Sequence, residues 1–399
     1  MKTRKPGITT WILLGLILGV ITGLVMPEWL YTPMSVVGSI YMSALRMMIY
    51  PLVFCSIIVG IVGIGDMTKT GKIGLTSIIW YTITTFVASA LGLFLPRLLH
   101  LGEGITIKAT DATVDAASFD GLLGTLTNLI PSNPIASFVN GDMLQVLVFA
   151  VIMGFACLGL GEKADPFAKL CGSINEISIY IVGKVMKLTP IGVFCCIGTV
   201  VYTNGAATMK ELALVMIALY ITYALYAILF YGGIVKFFGK YSPIQFFKDV
   251  APAGLNAFGT CSSSATLPIS MECARKIGIP DAVSSLALPL GATINMDAVS
   301  ILMSFMITFF ASACGVPLSI GTMVTILAAN VLLSIGTPGV PGGAIAAFAA
   351  LAPMAGLPLE TILGVYISVN TLADMGATCV NVLGDLACAT AMKESVKNS

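Results

Sequence analysis

The chain has 399 residues, of which 57% are hydrophobic and 10% are charged, and its formal net charge is +1. A soluble domain carries about 25% charged residues, so this composition excludes a soluble globular enzyme as well as a disordered chain. The mean hydropathy of +0.98 indicates a helical protein that crosses a membrane many times, and the near-zero net charge gives no reason to expect a nucleic-acid partner.

Apolar stretches long enough to span a bilayer, which needs about 20 residues, follow one another through the first part of the chain. The first stretch is too long for a signal peptide and lacks a small-residue cleavage site, so it is interpreted as the first span. A polar, mildly acidic segment at 101–140 predicts an irregular external loop with partial helices. The predicted spans are 8–30, 34–65, 72–99, 141–160, 172–203 and 210–238.

The rest of the chain is apolar but interrupted twice. Segment 249–270 contains GTCSSSATLP and segment 318–352 contains SIGTPGVPGG, while full helices are predicted at 279–313 and 356–392. Irregular backbone at membrane depth is tolerated only where protein or a wet cavity satisfies it. A flexible loop or a kink filled by Ser/Thr is the alternative, but both tips lie between long apolar arms. Paired interruptions of this kind predict a substrate site near the membrane midplane.

Lysine and arginine mark every second connection, which predicts that these ends are cytoplasmic. Segment 249–270 then enters from the inside and segment 318–352 from the outside. The prediction is an all-α polytopic membrane protein with eight transmembrane helices, two oppositely oriented re-entrant hairpins and inverted repeats, in the cell membrane with cytoplasmic termini. The marking residues are Lys2, Arg4, Lys5, Lys69, Lys72, Lys163, Lys169, Lys236, Lys240, Lys248, Arg275, Lys276, Lys393 and Lys397.

Three carboxylates, those of Asp297, Asp374 and Asp385, lie inside apolar helices. An ionised side chain at the bilayer centre costs at least about 2.5 kcal/mol, so each needs a cation, a substrate amine or a proton. Asp374 and Asp385 share one helix face with Thr378 and Asn381, and this helix has no Lys or Arg to pair with them. The alternative is a protonated or hydrogen-bonded carboxylate inside a bundle.

The available ligands favour alkali or alkaline-earth cations, because hard oxygen donors are present without thiolate or imidazole. His100 is the only histidine, which disfavours a histidine metal site and a Ser-His-Asp triad. The chain has no GxxxxGK[ST] motif, so ATP is not the predicted energy source. Most of the ten cysteines lie in apolar runs without a CxxC pair and are interpreted as buried small side chains.

At these residues the chain resembles the glutamate/neutral amino acid transporter family, the dicarboxylate/amino acid:cation symporters, over nearly its whole length. The likeness is strongest in Ser262–Ser264, in Asn295–Asp297, in the run from Gly336 to Gly342 and in Asp374–Asp385. It implies an elevator-type homotrimer. The scaffold would comprise 1–71 (helices 1 and 2) and 101–208 (external loop, helices 4 and 5); the transport domain would comprise 72–100 (helix 3) and 209–399 (helix 6, hairpin 1, helix 7, hairpin 2 and helix 8).

The resemblance also implies about three sodium ions held by side-chain and backbone oxygens. The first site would use backbone oxygens of Gly291, Asn295 and Asn381 with the Asp385 carboxylate; the second Thr293, Ser334, Ile335 and Thr337; the third Tyr81, Thr84, Thr85, Asn295 and Asp297.

The substrate is predicted from departures from that family. Acidic-substrate members carry an arginine three residues after the position of Asp374, and here that residue is Ala377; Val299 replaces a threonine that helps to hold a side-chain carboxylate, and Cys261 replaces an arginine. A second substrate carboxylate would be left unpaired at a cost of several kcal/mol. Asp374 is expected to bind the α-ammonium group, and the other predicted substrate residues are Ser263, Thr378, Asn381, Ala377, Val299, Val340, Gly342, Cys379 and Ala344.

The resulting hypothesis is a sodium-coupled symporter of small neutral L-amino acids (alanine, serine, threonine or cysteine) and not an enzyme. The alternative keeps the fold but moves an acidic amino acid or a C4-dicarboxylate. A channel is a rival of a different class, since the resemblance allows an anion leak at the domain interface. An intramembrane hydrolase that uses Ser263 is disfavoured, because no histidine lies nearby in the sequence.

Overall fold

The computed structural model describes residues 8–69, 72–103, 130–140, 143–204, 206–337 and 342–397. Nearly all of these residues are helical and none of them forms a strand, so the all-α prediction is confirmed. Five helical stretches in this part of the chain are long and apolar enough to cross a membrane, namely 73–98, 145–185, 210–237, 281–314 and 359–393.

The helices take the following bounds in chain order. They are α1 Ile8–Val25, α2 Glu28–Arg46, α3 Ile49–Lys69, α4 Lys72–Leu98, α5 Pro134–Asn140, α6 Met143–Leu160, α7 Asp165–Val185, α8 Thr189–Asn204, α9 Ala206–Leu225, α10 Gly232–Phe237, α11 Pro243–Thr260, α12 Ser263–Ile277, α13 Asp281–Ile294, α14 Asp297–Cys314, α15 Ile320–Gly336, α16 Gly343–Met354 and α17 Leu359–Lys397.

Proline divides spans that were predicted to be single helices. The first predicted span, 8–30, ends instead at Val25, just before Pro27. The prediction of one helix at 34–65 is wrong, because α2 ends at Arg46 and α3 begins at Ile49 with Pro51 in its first turn. The segment predicted at 172–203 is helical throughout, but α7 ends at Val185, a short 3-10 helix covers Met186–Leu188, and α8 continues from Thr189 with Pro190 as its second residue. Proline lacks the N–H that continues a helix but is tolerated in a first turn.

The predicted helix at 279–313 is also broken, and here side chains of other helices bond the backbone N–H groups that the break leaves free. Helix α13 ends before Asn295, whose backbone leaves the helical region with φ −99° and ψ 73°, and α14 begins at Asp297. The freed N–H of Met296 donates to Ser334 Oγ at 3.2 Å and the N–H of Ala298 donates to Asn381 Oδ1 at 2.7 Å. The break is therefore stable without proline because side chains of α15 and α17 accept its donors.

Both predicted interruptions occur as breaks between paired helices. Helices α11 and α12 pack against each other, and the turn between them is Cys261, with a left-handed φ of 49°, followed by Ser262, which caps α12 by accepting the Ala265 N–H at 3.2 Å. Helix α15 ends at Gly336, and α16 starts after Gly342, whose φ is 89°. Residues 338–341 lie between them and outside the described residues.

The carboxylate-bearing helices form the centre of the molecule. In stretches 281–314 and 359–393, 89% and 83% of the most apolar part is buried inside the protein. In the other three long stretches the buried share is 28–39%. Helix α17 packs against α11, α13 and α14, and α14 also packs along α4. The more exposed helices present large apolar side chains outward, such as Trp11, Phe86 and Ile217, as a lipid-facing surface requires.

Candidate functional site

The three acidic residues predicted from the sequence all lie in the buried centre. Asp297 is fully buried at the first residue of α14, while Asp374 and Asp385 on α17 are 7% and 3% exposed. Within the part of the chain that the structure describes, no lysine or arginine forms an ion pair with any of them. A buried negative charge without a basic partner requires dense hydrogen bonding, a proton or a bound cation.

Asp297 is surrounded by four hydroxyls. The Thr84 and Thr85 hydroxyls donate to Asp297 Oδ1 at 3.1 and 2.8 Å. The Tyr231 hydroxyl donates to Asp297 Oδ2 at 2.8 Å, and the Tyr226 hydroxyl, which donates to the Thr84 carbonyl at 2.7 Å, lies 3.4 Å from the same carboxylate oxygen. The two threonines and Asp297 were predicted to share a site, and the structure brings them together. A hydroxyl that donates to a carboxylate keeps oxygen lone pairs free, so the same cluster can ligate a cation.

Tyr226 and Tyr231 were not predicted from the sequence, because their spacing would place them on different faces of an α-helix. Tyr226 and Tyr231 are five residues apart, which on an α-helix of 100° per residue places them about 140° apart around the axis. The segment Tyr226–Tyr231 is instead π-helical, and this wider turn brings residues i and i+5 onto nearly one face. The two rings contact each other with centroids 5.0 Å apart. A π-helical turn therefore directs both hydroxyls to one carboxylate.

Asn295 joins the Asp297 cluster to Asp385. Its Nδ2 donates to Asp385 Oδ1 at 2.9 Å, and its Oδ1 accepts from the Thr84 hydroxyl at 3.2 Å. Tyr81 lies close by but donates to the Ala287 carbonyl at 2.8 Å rather than to a carboxylate. Asn295 is in the break between α13 and α14, so an irregular backbone is what places one amide between two buried acids.

The residues of the second predicted ion site meet where α13 ends and α15 passes. Ser334 Oγ, which accepts the Met296 N–H, also donates to the Ile294 carbonyl at 3.4 Å. The hydroxyls of Thr293 and Thr337 donate to carbonyls within their own helices, at 2.8 Å to Leu290 and 2.7 Å to Leu333. Their oxygen lone pairs remain available. Ile335, the fourth member, contributes an apolar side chain that packs against the cluster of Tyr81, Leu290 and Ile294.

Asp374 lies beside the second helix break. The backbone N–H of Gly342 donates to its carboxylate, and the Thr378 hydroxyl donates to Asp374 Oδ1 at 3.5 Å. Ser263, the first residue of α12, is 3% exposed, and Cys261 in the preceding turn lies near enough to be affected by the Asp374 charge. Both helix breaks therefore lie near this carboxylate.

The remaining predicted substrate residues are small or apolar. Ala377 is fully buried, Val299 is 5% exposed and Ala344 is 2% exposed. Cys379 is partly exposed and packs near Gly254, which is on α11. Val340 lies outside the described residues. The side chains that surround Asp374 on α17 thus offer volume and weak polarity but no positive charge.

Tyr220 is a further residue beside Asp374 that the sequence did not single out. Its hydroxyl donates at 2.6 Å to the carbonyl of Leu372, which lies two residues before Asp374 on α17. Gly376 allows this approach, because a Cβ there would lie 3.1 Å from the Tyr220 ring. The signal that could have found it is a tyrosine in an apolar span, since a hydroxyl inside a membrane protein needs a partner.

The site combines buried acids that lack basic partners with neutral oxygen ligands and with broken helices that meet near them. This combination is typical of a helical membrane transporter driven by a coupling cation. The comparison with known proteins agrees with this class. The model of the sodium:dicarboxylate symporter family matches residues 8–395, and the chain belongs to that family. It is therefore a transporter and not an enzyme, and the family name identifies sodium as the coupling ion.

Curated relatives align over nearly the full length of the chain. A proton/sodium-glutamate symport protein of Geobacillus stearothermophilus is 30% identical over 98% of this chain and 95% of its own. A C4-dicarboxylate transport protein of Bacillus subtilis is 32% identical over 96% of this chain and 92% of its own. C4-dicarboxylate transport protein 1 of Pseudomonas aeruginosa is 30% identical over 96% of this chain and 87% of its own.

Gly291→Ala tests the prediction that Asp385 is a sodium ligand, and on that prediction it is expected to weaken the sodium response strongly. A Cβ at Gly291 would overlap Asp385 Oδ1, would lie 2.6 Å from its Cγ and would be 3.0 Å from the Tyr81 hydroxyl. Overpacking of this kind costs about 1–3 kcal/mol, which is roughly a 5- to 150-fold loss of affinity if it falls on the ion-bound state. The measurement is the sodium concentration that gives half of the maximal sodium-induced rise in Tm.

Gly183→Ala is the matched control, because nothing lies within 4 Å of a Cβ at that helical glycine. It is expected to keep the sodium response of the wild type and to gain slightly in stability, since alanine is the better helix former. An unchanged sodium response in Gly291→Ala would show that Asp385 is not a sodium ligand in this arrangement.

Proposed function

We propose that the protein is a sodium-coupled symporter of small neutral L-amino acids, of the alanine, serine, threonine and cysteine type. The observation that carries this proposal is the absence of positive charge around Asp374 in the described part of the chain. The residue one turn on is the fully buried Ala377. A second substrate carboxylate there would be desolvated without a partner, which costs several kcal/mol.

The same geometry supports a role for each end of a zwitterionic substrate. Asp374 would receive the α-ammonium group, while Asn381 and the backbone N–H groups at Ser263 would hold the α-carboxylate. Ser263 begins α12, and the first N–H groups of a helix attract anions. The Gly342 N–H contact with Asp374 suggests that closure of the α15–α16 break completes the site.

Sodium would occupy the oxygen clusters around Asp297, Asp385 and Ser334, giving about three ions per substrate. A tenfold sodium gradient supplies about 1.4 kcal/mol per ion, and a potential of 100 mV adds about 2.3 kcal/mol per charge, so three ions would supply roughly 11 kcal/mol. A neutral zwitterion adds no net charge to this sum. Coupling then requires that sodium and substrate favour the same closed arrangement.

We further propose an elevator mechanism in a homotrimer of the cell membrane with cytoplasmic termini. The transport domain would comprise 72–100 and 209–399, and the scaffold 1–71 and 101–208. Two groups of packing contacts support this division: α14 packs on α4 and α17, whereas α1 and α2 pack on α8 and α3 packs on α6 and α7. Helix pairs α11–α12 and α15–α16 would be the two oppositely oriented re-entrant hairpins.

A second candidate keeps the mechanism and changes the cargo to an acidic amino acid or a C4-dicarboxylate. It is favoured by the names of the relatives, which are glutamate and C4-dicarboxylate transporters. The second carboxylate would then need a sodium ion or a proton as its partner, because none of the described basic side chains pairs with Asp374.

Uptake into proteoliposomes with an inward sodium gradient distinguishes these candidates. Labelled serine and alanine are expected to accumulate with sodium and not with choline, and excess unlabelled aspartate or succinate is expected to leave this uptake intact. Accumulation of aspartate or succinate instead would establish the second candidate. Serine and alanine uptake that is indifferent to sodium would refute the proposal, and flux that neither saturates nor accumulates would indicate a channel.

A further inference from the structure

A second polar cluster lies one helical turn beyond the Asp297 site and involves none of the residues predicted for ions or substrate. Ser89 follows Thr85 by four residues on α4, and Ser300 and Ser304 follow Asp297 on α14, so each lies on the same face as a residue of the Asp297 site. The three serines are fully buried. The Ser89 and Ser304 hydroxyls contact each other at 3.0 Å.

The side chain of Asn330 on α15 contacts all three serines of this cluster. Its Nδ2 lies 3.0 Å from Ser89 Oγ, 2.8 Å from Ser304 Oγ and 2.8 Å from the Ser300 carbonyl. Asn330 is 1% exposed, so water does not compete for these bonds. One amide thus attaches α15 to both helices that carry the Asp297 site, and bonds of this kind in a dry environment fix geometry strongly.

The serine pair lies where α4 and α14 are in close contact, and Asn330 reaches it from a third helix, α15. Helices α4 and α14 approach so closely that a Cβ on Gly92 would lie 2.6 Å from the Ile301 carbonyl oxygen and 2.8 Å from Ser304 Cβ. Helix α15 packs against both of these helices. Its polar face continues one turn later with Ser334, which accepts the Met296 N–H next to Asp297.

One hydroxyl of the cluster is unused in this arrangement. Ser300 Oγ is buried and has no hydrogen-bond partner among the described residues. An unpaired buried hydroxyl costs about 1–3 kcal/mol, so the cluster is not bonded as fully as its residues allow. The bonds that connect α15 to this cluster therefore come from Asn330 and not from Ser300 Oγ.

We propose that Asn330 is a positioning residue for cation binding at Asp297, because its bonds hold together the faces of α4 and α14 that carry Thr85 and Asp297. A cation at Asp297 draws the oxygens of Thr84 and Thr85 inward and orders the faces of α4 and α14 that also carry Ser89 and Ser304. Asn330 bonds best to those ordered faces, so by linkage its bonds must favour the cation-bound state. This inference rests on the proposed function of the same site.

The test compares Asn330→Ala and Ser304→Ala with Thr325→Ala by sodium titration of Tm, with choline chloride holding ionic strength constant. Thr325 is on the same helix, but its hydroxyl bonds only the Gly321 carbonyl of α15, at 3.1 Å. We expect the first two variants to raise the half-maximal sodium concentration about fivefold to tenfold, and Thr325→Ala to leave it unchanged. The double variant should shift the midpoint by less than the sum of the two single shifts, because both changes remove the Asn330–Ser304 contact.

A merely structural role would lower Tm without sodium and leave the sodium midpoint where it is, and that result would overturn the inference. If Asn330→Ala does not fold, Ser89→Ala and Ser304→Ala carry the same test, since each removes one bond to Asn330 together with the Ser89–Ser304 contact. Wild-type protein that gains no stability from sodium over choline would contradict the proposed function itself. A wild type that responds to sodium, with variants that share its midpoint, would contradict only the role of Asn330.

Discussion

Asp385→Asn is expected to abolish sodium-driven accumulation of substrate and to remove most of the sodium-induced rise in Tm. The change keeps the size of a side chain that is 3% exposed but removes the charge that a cation would neutralise. Loss of one partner of a buried charge pair costs about 3–5 kcal/mol, which corresponds to a decrease in affinity of more than 100-fold. The measurements are uptake into proteoliposomes and the sodium titration of Tm.

Asp374→Asn separates the two kinds of site and serves as the contrasting variant. It is expected to lose accumulation as well, because the substrate ammonium loses its partner, but to keep the sodium-induced stabilisation that Asp297 and Asp385 provide. Asp281→Asn is the neutral control, since its side chain is 86% exposed and only 3.9 Å from Arg275 in a surface pair. If both buried variants accumulate substrate like the wild type, the buried acids do not couple ion and cargo.

The sequence predicted the carboxylate face well because helical periodicity is a local property. Asp374, Thr378, Asn381 and Asp385 lie on one unbroken helix, α17, as their spacing requires. The two interrupted segments were also located correctly, since runs of Gly, Pro and Ser between apolar arms leave a strong local signal. These features depend on neighbours along the chain and need no knowledge of what packs against them.

Features that depend on distant partners could not be predicted from spacing. The break at Asn295 and Met296 has no proline and exists because Ser334 and Asn381 accept its N–H groups from other helices. The positions of the Tyr226 and Tyr231 hydroxyls depend on a π-helical turn, which the residue pattern does not predict. Such sites become visible only when the tertiary contacts are known, because tertiary packing overrides local preference.

The role of Gly291 also could not be predicted from its neighbours in the sequence. Its role is to leave room for the Asp385 carboxylate, which lies ninety-four residues further along the chain. The resemblance named Gly291 as a source of a backbone oxygen, but the physical reason for glycine there is close approach of another helix. The same argument applies to Gly92 between α4 and α14.

Ala377→Arg is expected to convert the preference for a neutral amino acid into a preference for an acidic one. The residue lies one turn after Asp374 on the same face of α17 and is fully buried. A guanidinium there would form charge-assisted hydrogen bonds with a second substrate carboxylate, each worth about 1.5–3 kcal/mol. The ratio of aspartate to serine uptake should rise roughly 10- to 100-fold, measured by competition under a fixed sodium gradient.

The size of the new side chain must be separated from its charge, because Ala377 is small and fully buried. Ala377→Met introduces a side chain of similar length without charge and should lower serine uptake by crowding, with no gain for aspartate. The introduced guanidinium can also pair with Asp374 itself in the absence of substrate, which should reduce serine uptake further, since the ammonium site is then occupied. An arginine variant with the substrate profile of the wild type would contradict the placement of the substrate side chain beside Ala377, whereas aspartate uptake gained by both variants would attribute selectivity to volume alone.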